Sequence, residues 1–186
     1  RAGFTPASLS KIPLAILIMK KVEAGQLKLD TPLEIQESDK RDTFGTLYQT
    51  KEKTLPLDIV LEKLLRESDN TALNVLLHYV SSEDIDFIQD YYGLDIRLDF
   101  PEYEQQNRSH TISAKSLSSL FLSLYYSTVL EARSSSYLLS LMQDTAFDVE
   151  ELAQLPENVK ISHKFGQYEL NDTVLFHDCG IMYIDE

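Results

Sequence analysis

The stretch from Leu14 to Met19, "LAILIM", constrains this chain more than any other feature. A small polar segment carrying Pro6 and Ser8 leads into it, and Lys20, Lys21 and then Gly25 follow it. That order is the signature of a helix running from about Ser8 to Ala24. It has turn-forming residues at its start, cations in its last turn and glycine just past its end. A helix that is apolar on nearly every side must be covered on several sides, so the fold has to place other elements around it. The run from Ile12 to Met19 is far shorter than the roughly 18 apolar residues that cross a bilayer, so it reads as a core helix with no stable membrane insertion. Pro13 lacks a backbone donor and is expected to bend or loosen the N-terminal end of this helix.

A chain of 186 residues has room for one domain, or one domain with two lobes. With 43% hydrophobic and 25% charged residues it is of the globular class. The formal net charge of −13 argues against nucleic acid and anionic membrane surfaces as partners. Cys179 is the single cysteine, which excludes an intrachain disulfide. No secretory signal is recognisable, yet the chain opens on Arg1 and motif-like sequence starts almost at once, so an excerpt of a longer protein is expected.

After a polar, irregular segment over 26–53, Thr54 and Pro56 are read as opening a helix, with Leu57, Val60, Leu61, Leu64 and Leu65 at helical spacing. It stops at "RESDN". A further helix is expected from about Thr71 to Val80. Ser81 and Asp84 form a capping-box pattern for another that ends at Gly93. Residues 94–111 read as a polar loop, followed by helices over about 113–126 and 134–143. After Pro156 the pattern changes, and "VKISHKFG" and "TVLFHDCGIMYI" read as strands joined by a turn at Asn171 and Asp172. The tyrosine pairs Tyr91–Tyr92 and Tyr125–Tyr126 are read as packing residues.

Three short patterns carry chemistry. Ser8 and Lys11 stand three residues apart, on one helix face, where a partly desolvated amine can approach and activate a hydroxyl. Alone, the pair reads as a helix cap and a solvated lysine. Ser68, Asp69 and Asn70 form "SDN" between two helices, and each is also a capping residue. "HKFG", His163 to Gly166, lies on a strand. Their order, S-x-x-K, then S-D-N, then a K-x-G close to K-T-G, resembles the motif set of class A β-lactamases and penicillin-binding proteins.

On these residues the chain resembles the class A β-lactamase and penicillin-binding protein superfamily. The likeness extends through "SLSKIPLAILIMKKVEAGQLKLD", "LLRESDNTALNVLL", "HTISAKSLSSLFLSL" and "HDCGIMYI". It implies an α+β fold of the β-lactamase/transpeptidase type, with a helical lobe at about 30–150. A mixed lobe would comprise 1–29 and 151–186, its antiparallel sheet incomplete in this chain. It implies that Ser8 is the acyl-accepting nucleophile, Lys11 its base and Ser68 the relay of a proton to the leaving nitrogen. Asn70 and Lys164 would bind substrate, and the backbone N–H groups of Ser8 and Gln167, beside Gly166, would form the oxyanion hole. It further implies a small-molecule substrate (a β-lactam or a D-alanyl peptide), no cofactor and an extracytoplasmic location. A non-catalytic relative that binds peptidoglycan-like peptides is the remaining reading.

Two departures stand out. Phe165 replaces the motif hydroxyl and cannot donate to a substrate carboxylate, so that contact must fall to Lys164, His163 or Ser162. The loop "RLDFPEYEQQNRSH" lacks the family's E-x-x-L-N context, which leaves Glu102 as the weak candidate for activating the deacylating water, with Glu104 beside it. His163, His177, Asp178 and Cys179 lack the spacing of a metal site, so no metal is expected.

Overall fold

In the computed structural model, residues 3–94, 111–156, 158–170 and 173–184 are described. The apolar run becomes α1, Lys11–Glu23, in which every side chain from Lys11 to Met19 is buried. Helices α2 (Leu57–Arg66), α3 (Asn70–Leu77), α4 (Ser82–Tyr92) and α6 (Ala132–Leu141) all pack against it. Each fully buried leucine or isoleucine contributes about 1.5–3 kcal/mol, so Leu14, Ile16 and Ile18 alone make α1 the axis of the core. Pro13 does not end the helix. It falls in the first turn of α1, where its missing N–H would lack a helical partner anyway, and a 3-10 turn, Ala7–Ser10, takes up the entry.

The surrounding helices follow their apolar spacing. α2 buries Leu57, Val60, Leu61, Leu64 and Leu65. α4 starts in the Ser81–Asp84 capping box and ends at Gly93, whose φ of 61° is the left-handed conformation that glycine adopts freely. α5, Ala114–Tyr125, buries Leu117, Leu120, Phe121 and Leu124. A short α7, Val149–Leu152, capped by Asp148, was not anticipated from the sequence.

Two antiparallel pairs complete the α+β architecture. β3 (Val159–Leu170) and β4 (Thr173–Ile184) form a long ribbon in which Lys164 stands opposite Cys179 and Phe165 opposite Asp178. The second pair corrects the sequence reading. Thr54–Pro56 is strand β2, not the opening of a helix, and it pairs with β1, Pro32–Glu34, Leu33 opposite Leu55. Three-residue strands are too short for a two-residue period to register. The tyrosine pairs pack ring to ring, edge-on with centroids 4.9 Å (Tyr91–Tyr92) and 5.0 Å (Tyr125–Tyr126) apart, although Tyr91, Tyr125 and Tyr126 are exposed; Tyr92 is partly buried and donates to Ser123 Oγ at 2.6 Å.

The irregular segment over 35–50 is fixed to the α2–α3 junction. Asp69 caps α3 by accepting from the Ala72 N–H at 2.9 Å, and its other oxygen accepts from the Leu47 N–H at 2.7 Å. Gly45 lies against that carboxylate. Its φ is 89°, and a Cβ there would come within 2.0 Å of Asp69 Oδ2. The carboxylate is held from both sides and cannot withdraw. Gly45→Ala is therefore expected to destabilise the fold by about 2–3 kcal/mol or more, read as a lower urea midpoint.

Candidate active site

The 3-10 turn before α1 sets the first part of the site. Its tight winding brings residues i and i+3 into line, and Lys11 Nζ lies 3.2 Å from Ser8 Oγ. Ala7, just before Ser8, has a φ of 48°, which an alanine adopts only when its surroundings impose it. Across the cleft, Ser68 also has a positive φ, 56°, at the junction between α2 and α3. The Asp69 N–H donates to Lys63 O at 3.1 Å and ties this junction to the end of α2.

Lys11 joins the two pieces. Its Nζ is 2.5 Å from Ser68 O, 2.7 Å from Asn70 Oδ1 and 3.2 Å from Ser68 Oγ, in addition to the Ser8 contact. A neutral amine has two N–H groups and one lone pair. The carbonyl of Ser68 and the amide oxygen of Asn70 can only accept, so they take the two N–H groups. The lone pair is then left for a hydroxyl proton, from Ser8 or Ser68. Burial pushes the Lys11 amine down to about 7 from the ordinary lysine value, with the Asp69 carboxylate partly opposing that shift.

Asn70 is oriented from its other end: its Nδ2 donates to Thr43 Oγ1 at 2.6 Å, and its N–H donates to Phe44 O at 3.0 Å. An amide carries a second N–H suited to a substrate carbonyl. Thr43 has no signal in the sequence, since it lies in a segment without periodicity.

β3 brings in the third piece. Lys164 is fully buried, and its Nζ donates to the Phe165 carbonyl at 2.9 Å, within its own strand, instead of to Ser68. Burial, and next the nearby charge of Lys11, hold its pKa well below the usual lysine range, while Asp178 partly compensates. Gly166 meets the Ser8 turn directly: a Cβ there would lie 3.1 Å from both Ser8 N and Pro6 O. Gln167 follows, half-buried, in register with Phe176. The branched side chain of Gly166→Val would have to separate β3 from the Ser8 turn. Any acylation that depends on their spacing is expected to slow by about 10²-fold, measured as the rate of adduct formation.

The two substitutes offered for the missing motif hydroxyl are both engaged elsewhere. Ser162 Oγ donates to Leu139 O at 2.9 Å, in the interior. His163 has Asp178 Oδ1 at 2.9 Å from Nδ1 and Thr145 Oγ1 at 2.8 Å from Nε2. Glu102 and Glu104 lie outside the described residues.

Comparison with known proteins extends the likeness over the whole chain. The model of the "Beta-lactamase enzyme family" matches residues 2–186. The β-lactamase VEB-1 of Pseudomonas aeruginosa is 23% identical over 96% of this chain, which spans 65% of that protein's length. The TLA-3 extended-spectrum β-lactamase superposes with a TM-score of 0.83 at 18% identity, covering 98% of this chain and 72% of that one. A mutant of PBP-A, solved as an acyl-enzyme complex with penicillin G, superposes with a TM-score of 0.75 at 23% identity, covering 98% and 74%. At these identities the superpositions establish the shared α+β fold, and the family match establishes descent. The chain belongs to the β-lactamase enzyme family.

Proposed function

We propose that the protein is a serine hydrolase that opens β-lactam amides through a covalent acyl-enzyme on Ser8. The observation that carries this reading is the Lys11 amine, buried and lowered to about 7, within 3.2 Å of both Ser8 Oγ and Ser68 Oγ. A base poised near the working pH combines a useful deprotonated fraction with proton affinity. Ser8 Oγ attacks the lactam carbonyl as its proton passes to Lys11 Nζ. The oxyanion is held by the N–H groups of Ser8 and Gln167, each such donor being worth about 10²–10³ in turnover. The C–N bond then breaks, and the proton travels from Lys11 through Ser68 Oγ to the leaving nitrogen. Asn70 holds the substrate's side-chain amide, and the buried amine of Lys164 lines the strand side of the site. Water cleaves the resulting ester, with Glu102 as the proposed base. Activity outside the cytoplasmic membrane follows from the family resemblance.

A second reading rests on the loop that lacks the E-x-x-L-N context: slow deacylation, as in a penicillin-binding D,D-peptidase acting on D-alanyl peptides. A labelled penicillin separates the two. Rapid release of hydrolysed product indicates a β-lactamase, and a lasting stoichiometric label indicates a penicillin-binding enzyme. The absence of both refutes acyl-enzyme chemistry and leaves the non-catalytic peptide-binding relative.

A further inference from the structure

Three phenylalanines from three separate elements meet where the strand motif carries Phe165. Phe147 comes from the segment between α6 and α7, Phe165 from β3 and Phe176 from β4. Their ring centroids are 5.9 Å (147 to 165), 4.6 Å (147 to 176) and 6.4 Å (165 to 176) apart, the last pair stacked within 5° of parallel. The cluster grades from inside to outside: Phe165 is 7% exposed and Phe176 is 43% exposed. It begins at the candidate site, because Lys164 Nζ lies 4.1 Å from the centroid of the Phe165 ring and Gly166 abuts Ser8.

The arrangement disfavours an anionic group at this position. Lys164, the one lysine of the strand motif, is fully buried, has the Phe165 ring against its Nζ and donates to a backbone carbonyl. Its Nζ presents no exposed face to an anion, and the Phe165 ring covers it on one side. Asp178 stands opposite Phe165 in register and adds a carboxylate on that side. Ser162 and His163 are committed elsewhere. The wall itself is held in place: His163 bonds Thr145, and Thr145 Oγ1 donates to the carbonyl of Phe147 at 2.9 Å, so the third ring is tied to β3. A rigid aromatic surface recognises flat apolar groups by stacking or edge contacts, each worth roughly three- to tenfold in affinity.

We infer that Phe165, with Phe147 and Phe176, forms a specificity subsite for a neutral, aromatic or apolar substituent of the substrate, on the ring side of the scissile amide where an acyl-enzyme of this family would meet a carboxylate. Phe165 is the specificity-determining residue. The inference rests on the proposed acylation of Ser8 and names the substrate class that this site takes.

The test compares a penicillin bearing its free carboxylate with the benzyl ester of the same penicillin, at equal concentration with the intact protein, following the acylation rate of Ser8 by mass spectrometry. The ester is expected to react about tenfold faster or more. Phe165→Thr is expected to reverse the order, and Phe165→Tyr, which keeps the ring, to preserve it. Should Phe165→Thr fail to fold, Phe176→Ala on the exposed rim is expected to shrink the ester's advantage several-fold. A free acid that outpaces the ester in the unaltered protein overturns the subsite while leaving acylation standing. A failure of both compounds to label Ser8 overturns the subsite together with the reading beneath it.

Discussion

Replacement of Ser8 by alanine is expected to abolish covalent labelling by penicillin and to slow hydrolysis by about 10⁴-fold or more, measured under single-turnover conditions. The size of the effect follows from the absence of a usable replacement. Ser68 Oγ lies at the same 3.2 Å from Lys11 Nζ as Ser8 Oγ does, so the amine alone does not choose between the two hydroxyls. Access chooses: Ser68 is fully buried, whereas Ser8 is only half-buried and borders the backbone of Gly166. The change should be nearly silent in stability, because the described hydrogen bond to Ser8 Oγ is the one from Lys11. An unchanged urea midpoint, within about 1 kcal/mol, would separate loss of chemistry from loss of fold.

Lys11→Ala carries the second large effect. Removing a general base costs about 10²–10⁴ in the step it serves, and here the same amine also positions Ser68 and Asn70, so the upper end is expected. The pH dependence provides a sharper check. Lys11 accepts a proton only when deprotonated, and its pKa is about 7. Acylation should therefore rise with pH through about 7 and level off above it, and Lys11→Ala should remove that inflection. The same lowering has a stability consequence of definite sign. Between about 7 and the unfolded lysine value of 10.5, the unfolded chain binds a proton that the folded chain does not, so stability rises with pH across that window. Below it the burial of the amine costs roughly 5 kcal/mol, an order-of-magnitude figure from the shift. A lysine kept in the core at that cost calls for a chemical role.

The parts of the fold that could be read from the sequence were those with local signals. The all-round apolar run gave a central helix, the Leu57–Leu65 spacing gave α2, and the Ser81–Asp84 box with Gly93 gave both ends of α4. β1 and β2 were hidden because three residues carry no period. The place of the α2–α3 junction was legible in "RESDN", but its geometry was not, because that comes from the tertiary lock between Gly45 and Asp69. At the candidate site, motif order was enough to single out Ser8, Lys11, Ser68, Asn70 and Lys164. It was silent on Thr43, which aims Asn70, on the positive φ of Ala7 and Ser68, two residues that do not advertise it, and on the direction of the Lys164 hydrogen bond. Replacement of the motif hydroxyl by Phe165 was visible as a loss. That the ring joins two others from distant segments was not, because aromatic clustering across elements leaves no trace in spacing.

The most direct measurement of whether one hydroxyl and one buried amine form a working pair is to locate the adduct. The protein is mixed with penicillin G at pH 8, quenched in acid within milliseconds to seconds, digested and mapped by mass spectrometry. A single penicilloyl group on the peptide that spans Ser8, formed more slowly at pH 6 than at pH 8, is the expected result. An adduct on Ser68 or any other residue, or formation that is indifferent to pH across that range, would contradict it.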